Sequence, residues 1–256
     1  PAASVKAAAT GPRTLAAEVF RFSMGAGVYA RQFTWVDDLF ENLAEYSLGG
    51  APSFRLGAEW YPGAAFGGGP EGWIGLEAEA ELPFAVESDR EGVSFPTAAS
   101  AWRLGVLGRF PTDLVEVRLG VGIAERRFAI EVAEGGLTVP DLPEVRYQTL
   151  SARVGLTARL LERVDLSVQG GWGFMLDAGA IGRRPWFPGS SSHTASAGAA
   201  LGVHIARGFG LFGRFDWQGA FFDLNPRPED EGVGVAGGAS DQIGRASCRE
   251  RVSFTV

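Results

Sequence analysis

From Ile74 to Phe84 every second residue is apolar, and the residues between are Gly75, Glu77, Glu79, Glu81 and Pro83. A period of two held that long describes a β-strand with two chemically different faces. The pattern recurs in nine segments, at about 17–33, 45–61, 73–87, 98–110, 114–130, 146–161, 164–177, 194–206 and 209–223. Each is longer than the ~9–11 residues a tilted strand needs to cross a bilayer. Strands of soluble proteins average about 5–6 residues.

The two faces differ in a way that favours a membrane. One face carries residues such as Phe20, Leu56, Leu76, Leu104, Val121, Val154, Val168, Leu201 and Phe215, and essentially no charge. The other carries Arg21, Arg55, Glu59, Glu77, Glu79, Glu81, Arg103, Arg109, Glu116, Arg118, Arg153, Arg159, Asp165, Arg214 and Asp216. An arginine on a lipid face near the bilayer centre costs ~2–4 kcal/mol. Turned into a lumen, Arg and Glu can pair and hydrogen-bond. A closed barrel also satisfies every backbone group, which hydrocarbon requires.

Connections alternate in length, as outer-membrane barrels alternate periplasmic turns and extracellular loops. Short links lie at 111–113, 162–163 and 207–208, with a Gly-rich link at 62–72; longer ones lie at 34–44, 88–97, 131–145, 178–193 and 224–238. Aromatics gather at segment ends, with Trp60, Trp73 and Phe110 on the turn side and Trp35, Phe84, Phe128, Phe174, Phe221 and Phe222 on the loop side. They are expected to form two interfacial girdles. A lipocalin-like barrel or sandwich would share the alternation but not the strand length or loop asymmetry. The expected fold is therefore all-β, an antiparallel up-and-down transmembrane β-barrel in the bacterial outer membrane.

Composition excludes several classes. No run of ~18 apolar residues exists, so no transmembrane helix is expected. The net charge is −7 and no basic stripe appears, which argues against a nucleic-acid partner. Residues 1–13 (PAASVKAAATGPR) read as a flexible linker, with any signal peptide upstream of this chain. The only cysteine is Cys248.

Residues 243–252, IGRASCRERV, resemble a common sequencing adapter translated in one frame. The segment 243–256 is expected to be foreign and to lack sustained alternation. The barrel then occupies 14–242, is built for ten strands, and has about nine, with two free edges at the seam.

Chemistry-bearing groups are few. Glu77, Glu79 and Glu81 form a ladder that could bind cations, but arginines on neighbouring strands are the better partners. His193, in a Ser-rich stretch near Trp186 and Phe187, is expected in an extracellular loop; with Asp177 it lacks the motif of a hydrolase site. His204 points inward and has no second ligand at metal spacing. Neither a metal nor a cofactor is expected.

The strings GAGVYARQFTW, EYSLGGAPSFRLGAEWYPGA, FPTAASAWRLGVLGRF and AGGASDQ resemble outer-membrane β-barrel proteins of myxobacteria and related deltaproteobacteria. That resemblance implies a final strand after residue 242 and assigns no functional residues. Expected partners are outer-membrane lipid, lipopolysaccharide and the barrel-assembly machinery; the ligand is unknown. The leading functional expectation is a structural barrel or small passive pore. The alternatives are adhesion or ligand binding through the loops at 178–193 and 224–238, with Trp186 and Phe187 as exposed-loop aromatics, and an omptin-like protease using Asp177, His193 and Asp223 at the rim.

Overall fold

The computed structural model describes residues 18–40, 43–66, 70–90, 93–112, 114–130, 144–184, 186–206, 208–225 and 236–255. Residues 1–13, expected to be a linker, and residues 67–69, 131–143 and 226–235 lie outside them. The strands are β1 (Glu18–Val36), β2 (Tyr46–Trp60), β3 (Ile74–Pro83), β4 (Glu87–Arg90), β5 (Val93–Pro111), β6 (Val115–Ile130), β7 (Val145–Leu161), β8 (Val164–Asp177), β9 (Ser191–Ala206), β10 (Phe209–Asp223) and β11 (Gly238–Thr255). Ten of them close into an antiparallel barrel in which each strand pairs with its sequence neighbours, β3 with β5, and β11 with β1. The short β4 pairs only with the extracellular end of β5.

The closing strand corrects the expectation of an open seam. Residues 238–255 pair along their length with β1, from Val36↔Gly238 to Glu18↔Thr255, and with β10, from Asp223↔Gly238 to Phe209↔Val252. Pairing needs only an extended backbone with free N–H and C=O groups, and the seam offers both from two sides. The expected lack of alternation is also corrected. Asp241, Arg245, Ser247, Arg249, Arg251 and Ser253 share one parity and turn inward, while Gln242, Gly244, Cys248 and Glu250 turn outward.

Two further expectations change. The loop expected at 88–97 is a hairpin, because β5 begins at Val93 and its first residues pair back on β4. In β2, simple alternation with Phe54 and Leu56 puts Tyr46 and Leu48 on the outer face. The register steps from Tyr29↔Ala51 to Arg31↔Leu48, so β2 holds one extra residue at Gly49–Gly50. Such a bulge reverses side-chain parity, and it turns Tyr46 inward, where it is buried.

The outer surface is an apolar belt. Ile74, Leu104, Val121, Val154, Phe174, Leu201 and Phe215 are each about half exposed. Along β6 it ends sharply after Ile123, where the outward positions become Glu125 and Arg127. The interior is inverted relative to a soluble protein: charged side chains fill the middle and periplasmic half, and an apolar cluster fills the extracellular end. Close packing in the charged half leaves no room for some side chains, since a Cβ on Gly202 would meet the Phe212 ring at 2.2 Å. Among the described residues no helix is long and apolar enough to cross a membrane.

Candidate functional site

The lumen is built in three layers by strands whose inward residues keep one parity. The periplasmic layer centres on Arg21 in β1. It donates to Glu59 at 3.3 Å and to Glu116 at 3.2 Å, and it also pairs with Glu18. Arg118 donates to Glu59 at 3.0 Å and pairs with Glu116. Arg109 is fully buried, stacks 3.7 Å above the Tyr61 ring, and donates to the Gly72 carbonyl. Tyr61, below the spanning strands, donates to Glu59; burial and that carboxylate push its phenol pKa well up.

The middle layer contains the glutamate ladder. Arg103 and Arg153 pair with Glu77, Arg153 also with Glu79, and Arg55 and Arg245 with Glu81. Arg55 donates to Asp216 at 2.8 Å, and Arg214 pairs with the same carboxylate. Nearer the periplasm, Asp165 sits 2.6 Å from His204 and 3.5 Å from Arg159. Of the fifteen charged residues named from the sequence, fourteen take part in these ion pairs, and Arg109 has the Gly72 carbonyl and the Tyr61 ring as partners. Salt-bridge partners take the ladder's carboxylates, leaving no row of free acids.

The extracellular layer was missed. Arg31 forks onto Asp241 through Nε at 2.9 Å and Nη2 at 2.8 Å, and Tyr147 donates to the same carboxylate at 3.0 Å. The Arg31 guanidinium also lies 3.9 Å above the Phe128 ring. Over this pair sits an apolar cap of Phe33, Trp35, Leu43, Tyr46, Phe128, Ile181, Phe187, Phe222 and Leu224, all buried inside the barrel mouth. Trp35 stacks on Trp186 with centroids 6.0 Å apart and planes at 10°.

Several expected positions are therefore corrected. Phe187 is 2% exposed and Trp186 is packed against the cap, so neither is a free loop aromatic. Trp35, Phe128 and Phe222 belong to the cap instead of a girdle, because they share the parity of Arg21, Glu116 and Asp216 on their own strands. His193 is in β9, not a loop, and faces outward between Phe221 at 5.3 Å and Trp172 at 6.5 Å. Asp177 follows a register shift in β8, stands opposite Gln148 and pairs with Arg183. His193 contacts aromatic rings and Asp177 an arginine, so the two do not form a catalytic pair. Trp35, Phe128 and Phe222 were available to a strict parity reading; Tyr46, the cap residues outside the strands and the Arg31–Asp241 pair, 210 residues apart, needed the closed structure.

No family model matches the chain, and no curated protein matches it by sequence. Comparison with solved structures finds the outer membrane protease OmpT from Escherichia coli, at TM-score 0.55 and 10% identity, with 96% of this chain and 99% of that one covered. The β domain of the Bordetella autotransporter BrkA matches at TM-score 0.42 and 13% identity, covering 91% and 99%. Neisserial surface protein A matches at TM-score 0.38 and 10% identity, covering 93% and 99%. At these identities the likeness concerns fold alone. The chain has the fold of an integral outer-membrane β-barrel.

Proposed function

We propose that the protein resides in a bacterial outer membrane as a structural barrel or passive pore whose lumen is closed at rest. One observation carries this reading: the apolar cap closes the extracellular mouth above layers of ion pairs that narrow the lumen. Membrane lipid and lipopolysaccharide are its proposed surroundings, with the outward Arg127 and Arg146 at headgroup level, and the barrel-assembly machinery its proposed route of insertion. The adhesion reading loses its two aromatics, since Phe187 is buried and Trp186 packs against the cap; most of its second loop, at 226–235, lies outside the described residues. The protease reading rests on fold likeness alone. Refolded into vesicles, the protein is expected to migrate faster on gels before boiling than after, and planar bilayers containing it are expected to show no ion steps. Steady steps from the unmodified protein would overturn the closed state.

We also propose that the resemblance to myxobacterial barrels reflects ancestry, and that residues 243–256 replace a native closing strand. Two observations support the second point. Glu250 faces outward within the belt, opposite Met24 and Leu211, where an acidic side chain is costly. Inside, Ser247 Oγ and Arg249 Nε are buried without a hydrogen-bond partner. Long-read sequencing of the gene is expected to give another alternating strand after Gln242, without a charge at the position of Glu250. A native IGRASCRERV would refute the replacement.

A further inference from the structure

Beneath the cap lies a cavity of about 110 Å³. One water needs roughly 10–15 Å³ by this measure, so the space holds several waters or one small molecule. The sequence hollows it out locally. On the inner face of β5 and β6, Ala101 stands opposite Arg126 and Ala124 opposite Arg103. Two long cations thus alternate with two methyl groups, and the gap opens between them.

The charges around this gap do not balance locally. Six arginines line the cavity, and five of them, Arg55, Arg103, Arg153, Arg214 and Arg245, have a carboxylate within 4.0 Å. Arg126 has none among the described residues. Its Nη2 donates to the neutral Gln218 amide oxygen at 2.9 Å, its Nε has no partner, and the side chain is 8% exposed. Arg103, which lines the same cavity, has a second buried nitrogen, Nη2, with no hydrogen-bond partner. A buried cation without a counter-ion is strongly unfavourable. A guanidinium presents its N–H groups in a planar fork that matches two oxygens of one anion.

We propose that this cavity binds a small oxyanion, a carboxylate or a phosphate, between Arg126 and Arg103. Thr149, opposite Ala124 on β7 and lining the same space, supplies a hydroxyl donor. The anion completes the charge balance of the middle layer and enters during folding or from the lumen. Arg245 shares the Gln218 oxygen at 3.4 Å and adds positive charge, but Arg126 and Arg103 lie in the body of the barrel, so the site does not depend on the tail. It is also independent of whether the lumen conducts.

The test is refolding into vesicles with inorganic phosphate or acetate present from the start, against chloride at equal ionic strength, followed by urea unfolding. A ligand bound only by the folded barrel raises the midpoint with concentration. The expected result is a rise with one of the two anions; which one it is separates phosphate from carboxylate. In Arg126→Gln the concentration needed is expected to increase about tenfold or more, as for loss of a hydrogen bond to a charged group. Arg127→Gln, one residue on and outward, is expected to behave as the unmodified protein. Should Arg126→Gln not fold, Arg245→Glu serves instead: it places a built-in carboxylate beside Arg126 and is expected to abolish the anion effect. Equal responses in the unmodified protein and in either variant, or no response to either anion, would mean a merely hydrated cavity and overturn the proposal.

Discussion

Replacing Arg21 by Met is expected to destabilise the folded barrel by about 3–5 kcal/mol, the usual loss when one partner is removed from a buried ion pair. Arg21 is 4% exposed and is the one cation shared by Glu18, Glu59 and Glu116, the last of which is 1% exposed. Methionine fills similar space but returns no charge, so Glu116 keeps only Arg118 and Glu18 loses its nearest cation. The measurement is the urea midpoint of the protein refolded into vesicles, with heat-modified migration as the check on folding. Arg127→Met is the control. Its pair with Glu144 is more than half exposed on both sides, and such surface pairs contribute about 0–1 kcal/mol. Equal midpoints for the two variants would mean that lumenal water screens the periplasmic layer, and that the ion pairs there are not what holds the strands in register.

The second large effect concerns the cap. Trp186→Ala combined with Phe187→Ala is expected to turn electrically silent bilayers into bilayers with resolvable current steps. Phe187 is 2% exposed inside the mouth, and Trp186 covers Trp35. Both come from the segment between β8 and β9, so their truncation removes the covering side chains without touching a barrel strand. Truncating a buried Phe costs about 3–5 kcal/mol where the site cannot collapse, yet the ten paired strands remain, so heat-modified migration is expected to persist. Continued silence in a folded variant would place the seal lower, in the layer of Arg55, Glu81 and Asp216, and would remove the cap from the account of closure.

Much of this was legible in the chain. Period-two patterning gave nine of the barrel strands, their length pointed to a barrel of the outer-membrane type, and the charges confined to one parity are the ones that pair across the interior. Parity also contained more than a simple reading takes from it. Trp35, Phe128 and Phe222 stand at the inward parity of their strands, yet position near a segment end alone suggests a girdle. Tyr46 was not accessible that way, because the extra residue at Gly49–Gly50 reverses the parity before it. Nor was the pairing of segment 238–255, since a strand at a seam is recruited by two waiting edges more than by its own pattern.

Within each unbroken strand the sequence by itself determined which side chains share a face, because a strand's side chains alternate whatever it pairs with. Only the tertiary structure decided who meets whom across the lumen. Arg21 reaches Glu116 over 95 residues, and Arg31 reaches Asp241 over 210. Those meetings depend on strand number, tilt and stagger taken together, quantities that belong to the closed barrel and to no single strand. The same closure leaves Arg126 facing a cavity instead of a carboxylate, and folds the segment after β8 over the mouth to seal it.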